Sequence, residues 1–290
     1  MSTSLVEAVT SWYSTAARNL PWRRPGATPW AVLVSEIMLQ QTPVARVLPA
    51  YERWLAKWPT AGDLARDSPG EAVRAWDRLG YPRRALRLHA SAVAIVERHR
   101  GEVPSSYLEL RALPGIGDYT AAAVAAFAFG QRHAVLDTNV RRVIARAVGG
   151  SALPDSSSVT VAERARAISL LPDDEKLAYR FSVALMELGA LVCRARAPQC
   201  AECPIVSVCA WHAAGAPSKL VAARSQGYEG TDRQVRGRLL AVLRSARGPV
   251  ARAQLDVVWP HDEQRVRALD ALVADGLVQR VSTDEFCLPV

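Results

Sequence analysis

Apolar residues recur at every third or fourth position along most of this chain, a pattern typical of helices that bury one face. Proline and glycine separate the apolar segments, as at Pro59 and Gly101, and both residue types end helices. Alternation typical of strands is missing from the first 210 residues, so this part is predicted to be all-α. The predicted helices cover 4–19, 29–41, 43–57, 70–78, 83–99, 105–111, 118–129, 138–148, 158–170 and 174–192.

The pattern changes after Cys209. Residues 213–232 are polar, contain Gly and Ser, and are predicted to be a linker. Residues 233–290 are predicted to form a small winged-helix-like α+β unit, because three helices precede a terminal hairpin. Such units bind nucleic acid in some proteins and serve as spacers or protein contacts in others. The predicted elements are helices over 233–246, 251–258 and 262–276 and strands over 278–281 and 285–288.

The composition excludes some classes of protein but does not identify a function. The 290 residues are 50% hydrophobic and 22% charged, as in a folded globular protein. A formal charge of +8 suits an anionic partner, but only three of the 36 basic residues are lysines. Such an arginine excess partly reflects genome composition, so charge alone does not select nucleic acid. We find no secretory signal and no run of ~18 apolar residues, and expect a cytoplasmic protein with no membrane partner.

Four cysteines form the most specific local motif, Cys193-x6-Cys200-x2-Cys203-x5-Cys209. Four thiolates this close can hold one metal centre, either zinc or an iron–sulfur cluster. A reducing cytoplasm also favours metal binding over disulfides. The spacing matches neither a common ferredoxin run nor a paired zinc ribbon, so it does not choose the metal. Two basic residues flank the cysteines, Arg194 and Arg196, and would suit a phosphate contact or be ordinary surface arginines.

A second motif, LPGIGDYTA at 113–121, predicts a tight turn between two helices. Gly115 and Gly117 would let backbone N–H groups approach an anion closely, and the helix starting at about Asp118 adds a favourable dipole. Helix, hairpin and helix in this order can hold a DNA phosphate without reading the base sequence. The simpler interpretation is a plain turn between helices.

Two carboxylates are candidates for acid–base chemistry. Asp137 follows an apolar pair where a helix starts, so it is an ordinary N-cap or a carboxylate with a low pKa that stays ionised. Glu36 has apolar helical neighbours and is either a surface residue or a buried acid whose raised pKa retains a proton. One protonated and one ionised carboxyl group is the pairing that breaks glycosidic bonds.

These motifs, in this order, resemble the endonuclease III and MutY superfamily of helix-hairpin-helix DNA glycosylases. The resemblance covers about residues 18–211 and adds PWR at 21–23, SEIMLQQTPV at 35–44, RLGY at 78–81 and VLDTNVRRV at 135–143. It implies the all-α glycosylase fold with a four-cysteine iron–sulfur loop and a [4Fe–4S] cluster. The implied domains are a six-helix domain at 22–132, a cluster domain made of 1–21 and 133–212, the linker and the C-terminal unit.

Two features favour the MutY-type adenine glycosylases within this superfamily. Lyases of the superfamily use a hairpin lysine, whereas this chain has Tyr119 there and no lysine between 58 and 175. Glu36, within E-x-M-L-Q-Q-T, is similar to the acid that these enzymes use to excise adenine. The resemblance therefore implies a monofunctional enzyme that removes adenine mispaired with 8-oxoguanine or guanine in double-stranded DNA of the nucleoid. A monomer is the default expectation.

The resemblance also implies roles for individual residues. Glu36 and Asp137 would carry the chemistry, with Tyr119 and Asn139 lining the sugar site. Gln41 and Tyr81 would wedge into the duplex, and Arg23 and Trp30 would help to frame the base pocket. The implied DNA-contacting residues are Gln41, Thr42, Tyr81, Gly115, Gly117, Arg23 and Trp30.

The chain departs from this family in two places. The roughly 80 residues after the cysteines are predicted to form the winged-helix-like unit and do not resemble the hydrolase-like domain that recognises 8-oxoguanine in many members. Pro82 stands where relatives often have an aromatic residue. The opposite-base preference therefore stays open. Two alternatives remain: a thymine or uracil mismatch glycosylase of the same superfamily, and a non-catalytic iron–sulfur DNA-binding regulator.

Overall fold

Helices occupy most of the chain, as the apolar spacing predicts. The computed structural model describes residues 2–217 and 227–290. The helices of the described residues are α1 Ser2–Ala16, α2 Pro29–Leu39, α3 Val44–Lys57, α4 Ala61–Arg66, α5 Pro69–Trp76, α6 Arg83–His99, α7 Tyr107–Arg111, α8 Asp118–Phe129, α9 Thr138–Ala147, α10 Val161–Leu170, α11 Glu175–Leu191, α12 Ala210–Ala213, α13 Asp232–Ser245, α14 Arg252–Asp256 and α15 Asp262–Ala274. The strands are β1 Val250–Ala251, β2 Gln279–Arg280 and β3 Glu285–Cys287.

The predicted helices are all present, with ends within three residues of the prediction. The prediction missed α4, α12 and β1, which are too short to show an apolar period. α4 begins with a capping box, in which the Asp63 amide donates to Thr60 Oγ1 over 3.2 Å and Asp63 Oδ2 accepts from the Thr60 amide over 3.0 Å. That local signal was available in the sequence. Of the predicted linker 213–232, residues 218–226 lie outside the described residues.

The chain divides into two compact units. The first contains the described parts of Met1–Val32, Ser105–Arg111 and Gly117–Ala222. Its core joins the apolar faces of α1, α9, α10 and α11, and Phe181 and Leu188 at its centre are fully buried. Burial of these faces provides the main stabilisation of the unit.

The second unit contains Leu33–Pro104, Ala112–Ile116 and the described part of Ala223–Val290. Tryptophans fill the core beside α3 and α5, where the rings of Trp54 and Trp76 meet edge to face at 5.7 Å. The same unit includes the C-terminal helices α13–α15 and an antiparallel sheet of order β1-β3-β2. The predicted hairpin is β2–β3, and β1 pairs with β3 through Val250 and Phe286.

The fold class is therefore mostly helical with a small C-terminal sheet, as predicted. The domain limits derived from the resemblance are not tested by the division into units and stay a prediction. Within the described ranges, no helix is long and apolar enough to cross a membrane.

Candidate active site and cysteine loop

Asp137 is the N-cap of α9, directly after the buried Val135 and Leu136. Its Oδ1 accepts a hydrogen bond from the Val140 amide over 2.6 Å, and its Oδ2 accepts one from Asn139 Nδ2 over 2.8 Å. Burial raises the pKa of Asp137, while these hydrogen bonds oppose the shift. The sequence prediction of a low pKa was wrong in direction, because burial outweighs the helix N-terminus and the hydrogen bonds.

Arg142 holds Asn139 in place, a role that the sequence analysis missed. Its Nη2 donates to Asn139 Oδ1 over 2.8 Å and to the Gly189 carbonyl over 2.7 Å. Its Nε donates to the Cys193 carbonyl over 2.8 Å. Arg142 therefore connects the surroundings of Asp137 to the start of the cysteine loop. Its spacing of three residues from Asn139 on one helix was the available signal.

Gly189 makes this arrangement possible. A Cβ at this position would lie only 2.7 Å from Asn139 Cβ, so α11 can approach α9 here only with glycine. Tyr119 belongs to the same unit and packs against the small cluster of Ala123, Ala126 and Val135. The structure thus brings Asp137 and Asn139 into direct contact, with Tyr119 packed on the segment that leads to them.

Arg23 takes part in a buried ion network. Its Nη1 lies 2.8 Å from Glu187 Oε2, and Arg18 Nε lies 2.7 Å from Glu187 Oε1. Burial alone would raise the pKa of Glu187, but the hydrogen bonds and charges of the two arginines hold it at about 2. The sequence analysis missed Glu187, although an acid within the apolar run of α11 was a signal. Trp30 is buried at the start of α2.

Glu36 is buried on α2, with 5% of its surface exposed, between Ser35 and Ile37, which are also buried. The sequence left open whether this glutamate points to water or is enclosed, and the structure places it in the interior. Glu36 belongs to the second unit and Asp137 to the first.

Gln41 and Tyr81 share an unusual backbone conformation. Their φ angles are 56° and 46°, in the left-handed region that side chains other than glycine rarely adopt. Both residues are exposed, Tyr81 by 59% of its surface. Thr42, in contrast, is buried, and its Oγ1 contacts the Leu79 carbonyl over 3.2 Å. Thr42 therefore connects the Gln41 segment to the turn that carries Tyr81.

Arg84 holds both segments in place, and sequence reasoning missed it. Its Nη2 donates to Thr42 Oγ1 over 2.8 Å, and its guanidinium lies 5.7 Å from the Tyr81 ring. Burial lowers the pKa of Arg84 to about 10, so the group stays charged at neutral pH. The guanidinium also donates to a set of backbone carbonyls from both segments, namely those of Ile37, Met38, Gln40, Leu79 and Gly80.

The predicted hairpin is present between α7 and α8, and its two glycines differ. Gly115 has a φ of 76°, and a Cβ there would lie 2.7 Å from Arg87 Cβ, so glycine is required. Gly117 is the N-cap of α8 with φ −95°, and no atom of the described residues lies within 4 Å of the position that a Cβ would take. The amides of the first helical turn have no acceptor within a helix. Among the described residues, the space beside Gly117 is therefore open.

The carboxylate of Asp118 in the first turn of α8 is neutralised by arginines. Arg111 Nε hydrogen-bonds to Asp118 Oδ1, and Arg164 Nη2 lies 3.6 Å from Oδ2. The hydrogen bond from Arg111 is the main reason why the pKa of Asp118 lies below its usual value. The hairpin therefore carries no uncompensated negative charge at this carboxylate.

The four cysteines of the motif line one cavity, together with apolar residues and Arg146. Arg146 Nη1 lies 3.5 Å from Cys193 Sγ, and its guanidinium lies 4.5 Å from the Trp211 ring. Burial raises the pKa of Cys203 to about 11. Among the described residues, no group of three or more His, Cys, Asp or Glu side chains is arranged to hold a metal ion. Arg194 and Arg196 are exposed.

Comparison with known proteins identifies the class. Residues 34–166, which include the hairpin and both candidate carboxylates, match the family model described as HhH-GPD superfamily base excision DNA repair protein. A solved structure of a thermostable thymine-DNA glycosylase superposes with a TM-score of 0.66 at 28% identity, covering 73% of this chain and 97% of that chain. The fold is thus that of the helix-hairpin-helix base excision repair glycosylases.

Similar proteins show which family of this superfamily the chain belongs to. An adenine DNA glycosylase of Mycolicibacterium smegmatis is 54% identical over 289 residues, which are 99% of this chain and 97% of that protein. A thymine/uracil-DNA glycosylase of Pyrobaculum aerophilum is 33% identical over 213 residues, 72% of this chain and 92% of that protein. The chain belongs to the adenine DNA glycosylase family.

Proposed function

We infer that this chain is a monofunctional adenine DNA glycosylase, which hydrolyses the N-glycosidic bond of adenine mispaired with 8-oxoguanine or guanine in double-stranded DNA. The observation that carries this inference is the extent of the match to the mycobacterial adenine DNA glycosylase, which spans 99% of the chain and includes the C-terminal unit. The match to the thymine/uracil enzyme covers only 72% of the chain.

Glu36 is the proposed proton donor. The target adenine must leave the base stack before its glycosidic bond can be reached. Glu36 is 5% exposed and belongs to the E-x-M-L-Q-Q-T segment, and an acid catalyst must hold its proton in a fixed position next to the base. Transfer of this proton to a ring nitrogen of adenine makes the base a better leaving group.

Asp137 is the proposed electrostatic stabiliser. Departure of the base leaves positive charge on the sugar, and an ionised carboxylate held in a fixed position stabilises that charge. The Val140 amide, Asn139 and Arg142 fix Asp137 and oppose its protonation. Water then adds to the sugar carbon and loses a proton, so the products are free adenine and an abasic site. Since no lysine lies between 58 and 175, a Schiff-base step has no amine in this part of the chain.

We propose that three surface features bind the duplex. Gly117 and the N-terminus of α8, with Gly115 shaping the turn, would receive a backbone phosphate. Gln41 and Tyr81 are exposed on strained backbone and would wedge into the stack as adenine leaves it. Strain of this kind supports such a role because it is stored where function needs one conformation.

Two further roles concern the base and sugar. Trp30 and Arg23 would frame the base pocket, and Tyr119 would line the sugar site beside Asn139. Arg23 is held by Glu187, so it would act through a fixed position rather than as a mobile cation.

We propose that Cys193, Cys200, Cys203 and Cys209 hold a [4Fe–4S] cluster. Four thiols that line one cavity support this proposal, and so does their spacing in a chain that matches an adenine DNA glycosylase over nearly its full length. When bound, such a cluster would join the loop to the core as a structural cross-link. The exposed Arg194 and Arg196 would then face DNA phosphates.

The organisation around this site is also proposed. We infer domains at 22–132, at 1–21 with 133–212, and at 233–290, in a protein that acts as a monomer. Three helices with a three-stranded antiparallel sheet support a winged-helix-like C-terminal unit.

The test is single-turnover base release from duplexes that contain A opposite 8-oxoguanine, A opposite G, T opposite G or U opposite G. We expect adenine release from the first two, with strand breaks only after alkali treatment. Glu36→Gln and Asp137→Asn should each lower the rate at least about 100-fold, as loss of a positioned acid–base group does. Glu97→Gln, an exposed acid on α6, is the matched control.

Other outcomes would point elsewhere. Release of thymine or uracil but not adenine would assign the chain to mismatch repair of those bases. Tight duplex binding with no release from any substrate would favour the non-catalytic regulator.

A further inference from the structure

The folded C-terminal unit begins with α13 and comprises residues 232–290. One of its contacts with α5 is made by an arginine. Arg244, near the end of α13, donates from Nε to the Val73 carbonyl over 2.9 Å and from Nη1 to the Asp77 carbonyl over 2.7 Å. Arg74 donates in return to the Arg244 carbonyl. Partial removal from water lowers the pKa of Arg244 to about 10, so the half-buried group remains charged. A cation removed from water in this way needs those carbonyl partners.

Two more contacts fix the same docking. The Gly70 amide donates to the Pro289 carbonyl over 2.7 Å, and a Cβ on Gly70 would lie 2.4 Å from that oxygen, so the last residues fit only against glycine. Asp275 Oδ1, after α15, lies 3.2 Å from Arg83 Nη1. The contacts come from separate elements of the C-terminal unit, so they define one orientation.

The anchors lie on either side of the Tyr81 turn. The turn leaves α5 at Asp77, whose carbonyl Arg244 binds, and enters α6 at Arg83, which Asp275 binds. Asp77 and Tyr81 both have left-handed backbone, with φ of 45° and 46°. A turn with two strained residues holds its conformation only when its surroundings fix it. The C-terminal unit supplies contacts at both ends.

The unit itself is poorly suited to reading DNA with α15. Its nine arginines are offset by eight acidic residues. Asp262 and Glu263 are exposed at the start of α15, and Arg265 on this helix is committed to Asp262 and Asp256. A helix that enters a groove needs a surplus of positive charge toward phosphates, and α15 lacks one.

We propose that the C-terminal unit is a positioning element for the base excision reaction, holding the Tyr81 turn through Arg244 and Asp275 so that Tyr81 is prearranged to enter the duplex. This proposal rests on the proposed function. It gives the C-terminal unit a role in which it need not touch a base.

A double-mutant cycle tests the proposal. Arg244→Ala should slow single-turnover adenine release on the order of tenfold to hundredfold, as small displacements of positioning groups do. In a Tyr81→Ala background, Arg244→Ala should change the rate less than about twofold, because the two act through one step. Arg247→Ala, an exposed arginine just after α13, is the matched control and should leave the rate unchanged. All variants are compared below their melting transitions at equal folded fraction.

Hydrogen exchange supplies a readout independent of activity. In Arg244→Ala and Asp275→Asn, amides of residues 77–83 should exchange faster than in Arg247→Ala, while those of α9 should not change. Unchanged hydrogen exchange at residues 77–83 would overturn the positioning proposal, whether or not the parent protein releases adenine. Failure of the parent to release adenine would instead refute the proposed function. If Arg244→Ala slowed adenine release equally in the parent and in the Tyr81→Ala background, the unit would not act through Tyr81, and the proposal would be wrong. Loss of duplex affinity in Arg247→Ala would show that the unit binds DNA directly.

Discussion

At the scale of single residues, the candidate chemistry depends on how each carboxyl group is enclosed. Asp137 shows two opposing effects, because burial raises its pKa while donors from Val140 and Asn139 lower it. The net direction is upward from an ordinary value of 3.8. If Asp137 must be ionised for catalysis, the enzyme loses activity on acidification at a higher pH than it would with a solvated aspartate.

This balance predicts the pH dependence of base release. The single-turnover rate should fall as pH decreases through the pKa of Asp137, with a midpoint above 3.8. Asn139→Leu removes a donor that favours the charged form, so the midpoint should move to still higher pH. The measurement is the pH–rate profile of both proteins on A opposite 8-oxoguanine, with Asn19→Leu as the control. An unchanged midpoint in Asn139→Leu would show that Asn139 does not influence the reactive carboxylate.

Residue identity alone predicted the position of Asp137 at a helix start, but not how its carboxyl group and the nearby arginines are enclosed. The N-cap position of Asp137 follows from an apolar pair before a helix start, but the direction of its pKa depends on enclosure by distant segments. Arg83 and Arg84 are adjacent and chemically identical in the sequence, yet the first side chain is 56% exposed and the second is buried. Only the folded arrangement of α2 and α6 separates their roles.

At the scale of elements, Arg84 on α6 joins the end of α2 to the Tyr81 turn. The helices themselves were predictable, because they are long and periodic. The connection through Arg84 was not predictable, because hydrogen bonds from a guanidinium to carbonyls more than 40 residues away produce no repeating pattern in the sequence. The short helix α4 was overlooked for a different reason, since its capping box is a local signal without an apolar repeat.

Replacement of Arg84 tests this connection. Arg84→Lys keeps the charge but cannot reach the same carbonyls, so several buried acceptors lose their donors. We expect a loss of at least about 2 kcal/mol in the free energy of unfolding and slower adenine release, because Gln41 and Tyr81 lose a shared support. Urea denaturation and single-turnover kinetics measure the two effects. Arg98→Lys, on the exposed face of α6, should match the parent in both; equal stability of Arg84→Lys would contradict the assignment.

At the scale of the molecule, the cysteine cavity combines parts that are distant in sequence. Arg146 of α9, the loop after α11 and Trp211 of α12 all line it, and Cys203 packs against the core of the first unit. The sequence spacing predicted that the four cysteines lie together. It could not predict the wall contributed by α9, nor the docking of the last residues on Gly70, because both depend on long-range packing.

Loss of one cysteine should therefore affect the whole first unit. Cys203→Ala should abolish the visible absorption of a bound cluster and its iron and sulfide content, since metal binding and folding are coupled. We expect the melting temperature to fall by at least about 5 °C. Cys287→Ala, in β3, provides a matched control with full iron content. Retention of iron by Cys203→Ala would show that this thiol is not a ligand.

The left-handed backbone at Gln41 and Tyr81 has a consequence for how such a protein can be improved. Glycine adopts this conformation without the steric cost of roughly 1 kcal/mol that other residues incur. Selection for thermostability alone would therefore favour glycine at both positions, and the more stable protein would lack the side chains proposed to enter DNA. A screen for heat resistance should thus enrich inactive variants at these two sites, so stability and repair must be selected together.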